Sequence, residues 1–404
     1  MLSLACRASL PAEDHPVDAT SAPSTLMTGP SRAVALEVLL RGPVSRSEIA
    51  RRLDLSAGSL TRLAKPLVDH GLLVEVDAGG DPESGTVRRT RPLDINPAAH
   101  HFIGAKVTGD DVHAVLTTMR AGVVASAHTP LPGRDPASVV AAVRELTGQL
   151  TAEHPTISRV GVSLGGRVMD HTTVTEAPFL GWSQDVPLGS LLADALGTPV
   201  TVDNDLLALT RAEHWFGAAR GHDRFAVITI GAGVGYGLVM HDTIVDTPDV
   251  GVGLLGHCPL DPMGPLCPSG HRGCATAMLS EHSIRAAVSV GLCRPVTYDE
   301  CLDLAADGDP VATAVVTASG RALGRLLAAV ANFTLVQKIV LTGEGVRLAE
   351  VARSAVDEGI HADRAQRAVP LDVDVQHSDF THWARGAAAT AIQTYVLGDA
   401  PASG

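Results

Sequence analysis

Aromatic side chains are scarce in this chain: three Trp, three Tyr and six Phe among 404 residues. Any core must therefore be built mainly of Ala, Val and Leu, and with 45% apolar residues there is material for two or three domains. Uninterrupted apolar runs of about 18 residues are missing, which argues against a transmembrane helix and a membrane partner. Cysteine is rare too. Of six, three cluster beside histidines, a usage that suits a reducing cytoplasm and a metal better than a disulfide framework. Positive charge is in deficit, with 31 Lys and Arg against 44 Asp and Glu, so the chain cannot coat nucleic acid over its whole surface. Residues 1–30 have few basic residues at their start and soon turn acidic and Pro/Ser-rich, which reads as a disordered leader and not a signal peptide.

The basic charge that exists is concentrated. Ten of the 31 Lys and Arg lie between residues 31 and 92. In "SRAVALEVLLRGPVSRSEIARRLDLSAGSLTRLAKPLVDHGLLVEV", apolar residues recur at helical spacing at Val34, Val38 and Leu39, at Ile49 and Leu53, and at Leu60, Leu63 and Leu67. Three short helices are expected. Ser45 with Glu48 has the pattern of a capping box for the second, Ser56 can cap the third, "LDLS" makes the tight turn between them, and Gly71 ends the third. "LLVEV" and "RRTRPLDI", joined by a Gly-rich link, read as a two-stranded wing bearing Arg88, Arg89 and Arg91. A winged helix-turn-helix over 31–92 would present Ser59, Thr61, Arg62 and Lys65 to the major groove of double-stranded DNA while the wing arginines reach phosphates or the minor groove. A helical oligomerisation module is the plainer alternative. Pro66 falls inside the third helix and predicts a bend near Ala64.

From about residue 93 onward, strand-like apolar runs alternate with Ala-rich helical stretches, an α/β pattern. Two strands end in Gly turns, "GAGVG" and "TGEGV", of the kind that bring backbone N–H groups close to phosphate or sugar oxygens. Within "GHCPLDPMGPLCPSGHRGC", His257, Cys258, Cys267, His271 and Cys274 are gathered in a loop stiffened by Pro and Gly, a donor set that suits zinc.

The winged helix-turn-helix followed by "GVSLGGRV", "APFLGW", "VDNDLLALTRAE", "ITIGAGVGYGLV", "GLLGH", the His/Cys loop and "IVLTGEGV" resembles the ROK family of repressors and sugar kinases, over about residues 31–397. The resemblance implies an actin-like, ribonuclease-H-like α/β fold over 93–404, two lobes with a sugar cleft between them. It implies further a repressor of carbohydrate-related genes that binds inverted-repeat operators as a homodimer, with a tetramer as the alternative, and that senses a carbohydrate effector. Ligand contacts are then expected at Gly165, Gly166, Asn204, Asp205 and His257, and Asp205 matches the general base of the kinases. Structural zinc is expected on His257, Cys267 and Cys274. Ser269 stands where the family has a further cysteine, which leaves the fourth position to Ser269, His271, Cys258 or water.

The departures matter as much. Lys106 stands near the Asp of the kinases' Gly-rich phosphate loop, so ATP would lack both a metal-organising carboxylate and a backbone cradle; no ATP and no enzymatic activity are expected. Phe179, Leu254 and Thr276 replace an Asn and two Glu that would pair with sugar hydroxyls. Two other functions remain to weigh: a sugar kinase with an added DNA-binding domain, and a regulator answering to a protein partner. The reader and the α/β body are expected to have separate apolar faces across the junction "RPLDINP".

Overall fold

The computed structural model describes residues 29–77, 91–152, 156–247, 249–251 and 253–398. Residues 1–28 of the expected leader, and Arg88 and Arg89 of the wing, lie outside the described residues, while Gly29 and Pro30, expected in the leader, open the first helix.

The N-terminal unit is α1 (Gly29–Arg41), α2 (Arg46–Arg52), α3 (Ala57–Asp69) and an antiparallel ribbon of β1 (Leu73–Glu75) with β2 (Leu93–Ile95). Ser45 caps α2 by accepting the Glu48 N–H at 3.2 Å, but only half of the expected capping box closes. The Glu48 carboxylate turns away to Arg51 and Arg52, whose hydrogen bonds hold it down at about 2. Ser56 caps α3 through the Ser59 N–H, and α3 continues across Pro66 until Gly71, at φ +74°, turns the chain.

Two lobes of the same plan follow. The first holds β3 (His101–Val107), β4 (Asp111–Thr118), β5 (Val123–Pro130), α4 (Pro136–Leu150), β6 (Ile157–Leu164), β7 (Arg167–Met169), β8 (Thr173–Glu176), α5 (Leu188–Leu196), β9 (Val200–Asn204) and α6 (Asp205–Phe216). The second holds β10 (Arg224–Ile230), β11 (Val234–Met240), β12 (Thr243–Ile244), α7 (Ala275–Leu279), α8 (Glu281–Leu292), α9 (Tyr298–Ala306), α10 (Pro310–Thr334), β13 (Lys338–Thr342), α11 (Arg347–Val351), α12 (Arg353–Asp363) and β14 (Asp372–Val375), after which the chain ends in α13 (Phe380–Leu397). The sheet orders are β5-β4-β3-β6-β9 and β12-β11-β10-β13-β14, each an antiparallel meander continued by two parallel strands. This repeated topology is the two-lobed fold that the sequence resemblance implied. α10 is long and apolar enough to span a bilayer, yet its apolar residues form the second lobe's core, with Leu323, Leu326 and Leu327 fully buried.

α13 returns to the first lobe and covers its sheet. Ala and Gly dominate its inner face because the approach is close: a Cβ on Gly104 of β3 would fall 2.0 Å from the Ala384 carbonyl, and one on Gly161 of β6 1.9 Å from that of Ala387. Further along, α13 meets the N-terminal unit. Val34, Val38 and Leu39 of α1 share one apolar cluster with Phe102, Met119, Trp215, Ile392 and Val396, so the expected separation of apolar faces does not hold. The reason is economy of core: a unit of three short helices has too few apolar residues to close its own interior and borrows the α/β body. Fully burying Phe102, Met119 or Ile392 contributes about 1.5–3 kcal/mol each relative to exposure.

Candidate functional site

On α3, burial and exposure alternate as a groove-reading helix requires. Leu60, Ala64 and Leu67 are buried, Thr61, Arg62 and Lys65 are exposed, and Ser59 is half-buried. Thr61 bonds back to the Ala57 carbonyl and Lys65 pairs with Asp69 at 2.8 Å, while Arg62 has no partner among the described residues. A free, exposed guanidinium in the middle of the helix is available to a base edge or a phosphate. Arg91 extends from the wing with loose partners, Glu75 at 3.9 Å and Asp77 at 3.8 Å.

The cleft residues come together at the carboxyl ends of the first lobe's parallel strands, where open α/β sheets bind ligands. Asn204 is the N-cap of α6: its Oδ1 accepts the N–H groups of Leu206 and Leu207, and its Nδ2 donates to the Gly166 carbonyl. Its work is structural, and it fixes Asp205 as the first residue of the helix. Gly166, at φ +155°, lies where a Cβ would strike the Glu176 carbonyl at 2.1 Å, and Gly165 lies where a Cβ would touch the Phe179 ring at 3.0 Å and Asp205 at 3.4 Å. Phe179, in the place of an amide, is 59% exposed and lies against Gly165, beside which Asp205 also stands. Leu254 is equally open, at 64%.

Both Asp205 oxygens are engaged. Oδ1 accepts the Leu206 N–H at 2.8 Å, and Oδ2 forms a salt bridge with Lys106, whose ammonium is buried and lies 5.2 Å from the Trp383 ring centre. The oxygen at the position that matches the kinases' general base is thus occupied by an ammonium of the chain itself. The second lobe is equally inhospitable to a polyphosphate. In the turn that starts at Gly231, the Glu344 carboxylate sits 2.5 Å from where a Cβ would be, and the Glu281 N–H bonds the Gly231 carbonyl. Burial, with Glu344 and Asp299 nearby, pushes the Glu281 carboxyl up. A carboxylate, that of Glu344, thus lies against the turn that would approach phosphate. Sequence reading missed the Lys106–Asp205 pair, Trp383 and the placement of Glu344, although the charge reversal at Lys106 was the signal for the first.

The His/Cys loop folds as a hairpin. Leu266 bridges Arg272, the Cys267 N–H bonds the His271 carbonyl at 2.9 Å, and Pro268, Ser269 and Gly270, the last at φ +84°, form the three-residue turn. Pro presets the first turn position and Gly the left-handed one, which brings Cys267 and His271 opposite each other and leaves Ser269 exposed at the tip. His257, Cys267 and His271 present ligand atoms all within 4.8 Å of one another. His271 Nδ1 is 3.1 Å from His257 Nδ1 and 3.6 Å from Cys267 Sγ, and Cys274 Sγ is 3.9 Å from His257 Nδ1. Zinc with bonds of about 2.0–2.3 Å has tetrahedral edges of roughly 3.3–3.8 Å, so His257, Cys267 and His271 are spaced as three of its donors would be. Although burial raises it, the Cys267 thiol is brought down to about 7 by the N–H groups of His271 and Ser269. Cys258 instead packs half-buried against the second lobe's core.

The sequence profile described as ROK family matches residues 102–394, and that of the MarR family residues 27–81. The chain is 24% identical over 369 residues to the DNA-binding transcriptional repressor Mlc of Escherichia coli strain K12, covering 87% of this chain and 89% of that one. It is 27% identical over 362 residues to the DNA-binding transcriptional dual regulator NagC of the same organism, covering 84% and 86%. Among solved structures, a ROK family transcriptional regulator described as a homolog of the E. coli Mlc protein superposes with a TM-score of 0.76 at 23% identity, over 91% of this chain and 96% of its own.

Proposed function

This chain belongs to the ROK family, and on that premise we propose that it is a DNA-binding transcriptional regulator, a repressor of carbohydrate-related genes. The observation that carries the reading is the exposed polar face of α3, with Arg62 unpaired among the described residues, on a unit anchored to a body whose kinase base is occupied by Lys106. DNA is the partner, contacted through Ser56, Ser59, Thr61, Arg62, Lys65 and the wing arginines. A homodimer would carry two such helices to an inverted repeat in the cytoplasm. The similarity to Mlc and NagC, both described as DNA-binding transcriptional regulators, supports the same reading.

The body is read as a sensor without phosphoryl transfer. Lys106 on Asp205, and Glu281 and Glu344 beside Gly231, are obstacles to ATP chemistry, since positioned cations and backbone donors are what such transfer needs. Zinc, read as structural, would be held by His257, Cys267 and His271, with Cys274 the nearest further thiol, and would pin the loop against the cleft wall that Gly256 and Thr276 form. Genome-wide binding of the full chain is the direct test. Discrete inverted-repeat sites beside carbohydrate genes are expected, and ATP consumption with any of a panel of sugars would overturn the sensor reading.

A further inference from the structure

The cleft has changed its hydrogen-bonding polarity, and the change specifies a ligand. Lys106 on β3, Ser163 on β6 and His113 on β4 are register partners, so their side chains share one face of the sheet, the face that α13 covers. Lys106, at the centre of the row, lies beside Asp205 and under Trp383. Its donors exceed its acceptors. Of the three N–H bonds of Lys106, one is used by Asp205. Ser163 Oγ, on a residue with no exposure, and Trp383 Nε1, on a residue 7% exposed, have no hydrogen-bond partner among the described residues; nor has His113 Nε2. Buried polar groups left unpaired in this way are costly unless something completes them.

Asp205 does not exhaust the ammonium. Its other oxygen is held by the Leu206 N–H in the first turn of α6, where the positive end of the helix carries part of the carboxylate's charge. Meanwhile acceptors for sugar hydroxyls are absent at Phe179 and Leu254, and the exposed Phe179 ring offers a flat apolar face against Gly165, beside which Asp205 also stands. Spare donors, one buried cation and an aromatic platform fit a ligand with an anionic acceptor group and fewer recognised hydroxyls. We propose that the effector is an acidic carbohydrate whose single anionic group is received by Lys106 Nζ, Ser163 Oγ and Trp383 Nε1. The proposal rests on the sensor reading above and deepens it.

Isothermal titration of the zinc-loaded full chain tests it, with glucuronate, galacturonate, gluconate and glucose 6-phosphate as probes and glucose and galactose as neutral controls. At least one acid should bind, and the neutral sugars should bind at least ten-fold more weakly. Binding of a uronate or aldonate alone assigns a carboxylate, and binding of the sugar phosphate alone assigns a phosphate; either supports the proposal. Lys106→Met should weaken the acid by about ten-fold to a hundred-fold, the scale of a lost charged hydrogen bond. Trp383→Phe keeps the ring but removes the N–H, and should weaken it by roughly two-fold to ten-fold; it serves where Lys106→Met melts early. Neutral sugars binding as tightly as acids, or variants binding the acid like the parent, would overturn the assignment. So would silence towards every acid in a protein that binds its operator. A protein that binds an acid but no DNA would leave this assignment standing and defeat the regulator reading.

Discussion

Arg120 offers a direct test of how the DNA reader is held. It sits in the turn between β4 and β5, and its Nε and Nη2 donate to the carbonyls of Leu39 and Val38 at the end of α1, at 3.2 and 2.9 Å, while the guanidinium pairs with Asp94 of the wing. A cation at a helix C-terminus is favourable, and hydrogen bonds from a charged donor are worth about 1.5–3 kcal/mol each. The side chain is 32% exposed, so the lower part of that range applies. Val38 keeps the Gly42 N–H at 2.8 Å and Asp94 keeps the Ile95 N–H at 2.8 Å, so Arg120→Met strands only the Leu39 carbonyl. The expected cost is about 2–3 kcal/mol. Because one apolar cluster spans reader and body, the parent should melt in calorimetry as one cooperative transition. The variant should show a separate, earlier transition for the reader, shifted down by about 10–20 °C, at roughly 4–8 °C per kcal/mol for a unit of that size. A single transition unmoved by the substitution would show that burial alone anchors the reader and that the bracing role is wrong.

Three further outcomes are expected. Arg62→Ala should cost about 1–3 kcal/mol of operator affinity and flatten the preference at one base pair in a binding-site selection; a loss equal across all sequences means a phosphate contact. In the His/Cys loop, His271→Ala should release zinc to a chelator faster than the parent does, while Ser269→Cys, at the hairpin tip, should leave the release rate unchanged; tighter zinc in Ser269→Cys would refute the assigned ligand set. His100 is bonded to Ser158 and Tyr395, and burial, with His101 adjoining, lowers it to about 4 from 6.5. The unfolded chain then binds the extra proton, so stability is full above pH 6.5 and declines by up to about 3 kcal/mol as pH falls towards 4. His100→Gln should flatten that limb of the melting-temperature profile, and an unchanged acid limb would place the titration elsewhere.

What could be read from the sequence was what is local. Ser56 before α3, Gly71 after it and the "Pro-Ser-Gly" turn at 268–270 each act within a few residues, and each is found where its chemistry requires. The resemblance supplied the two-lobed body, because strand-to-glycine turns alone do not set strand order. Contacts between distant residues were out of reach. Lys106 and Asp205 are 99 positions apart, and Trp383 joins them only because α13 crosses back over the first sheet. The shared core of reader and body escaped for a related reason: Ile392 and Val396 lie in an Ala-rich helix that advertises no strong apolar stripe, and only the folded chain shows that one stretch faces α1.

The same helix gives the departures from the family pattern a common logic. α13 carries Trp383 over Lys106 at one end and Ile392 and Val396 in the apolar cluster with α1 at the other, so the Lys106 site and the reader pack on one helix. Asp205 keeps the carboxylate of the family pattern while the phosphate-loop Asp has become Lys106, and the half-buried carboxylate needs a partner. Lys106 provides that pairing: losing the charge of either partner would strand the other, a loss of the kind that costs about 3–5 kcal/mol when a buried pair is broken. Lys106→Asp would therefore not restore a kinase-like cleft. It would replace an ion pair with two carboxyl groups side by side, and the expected result is a lower melting temperature without phosphoryl transfer.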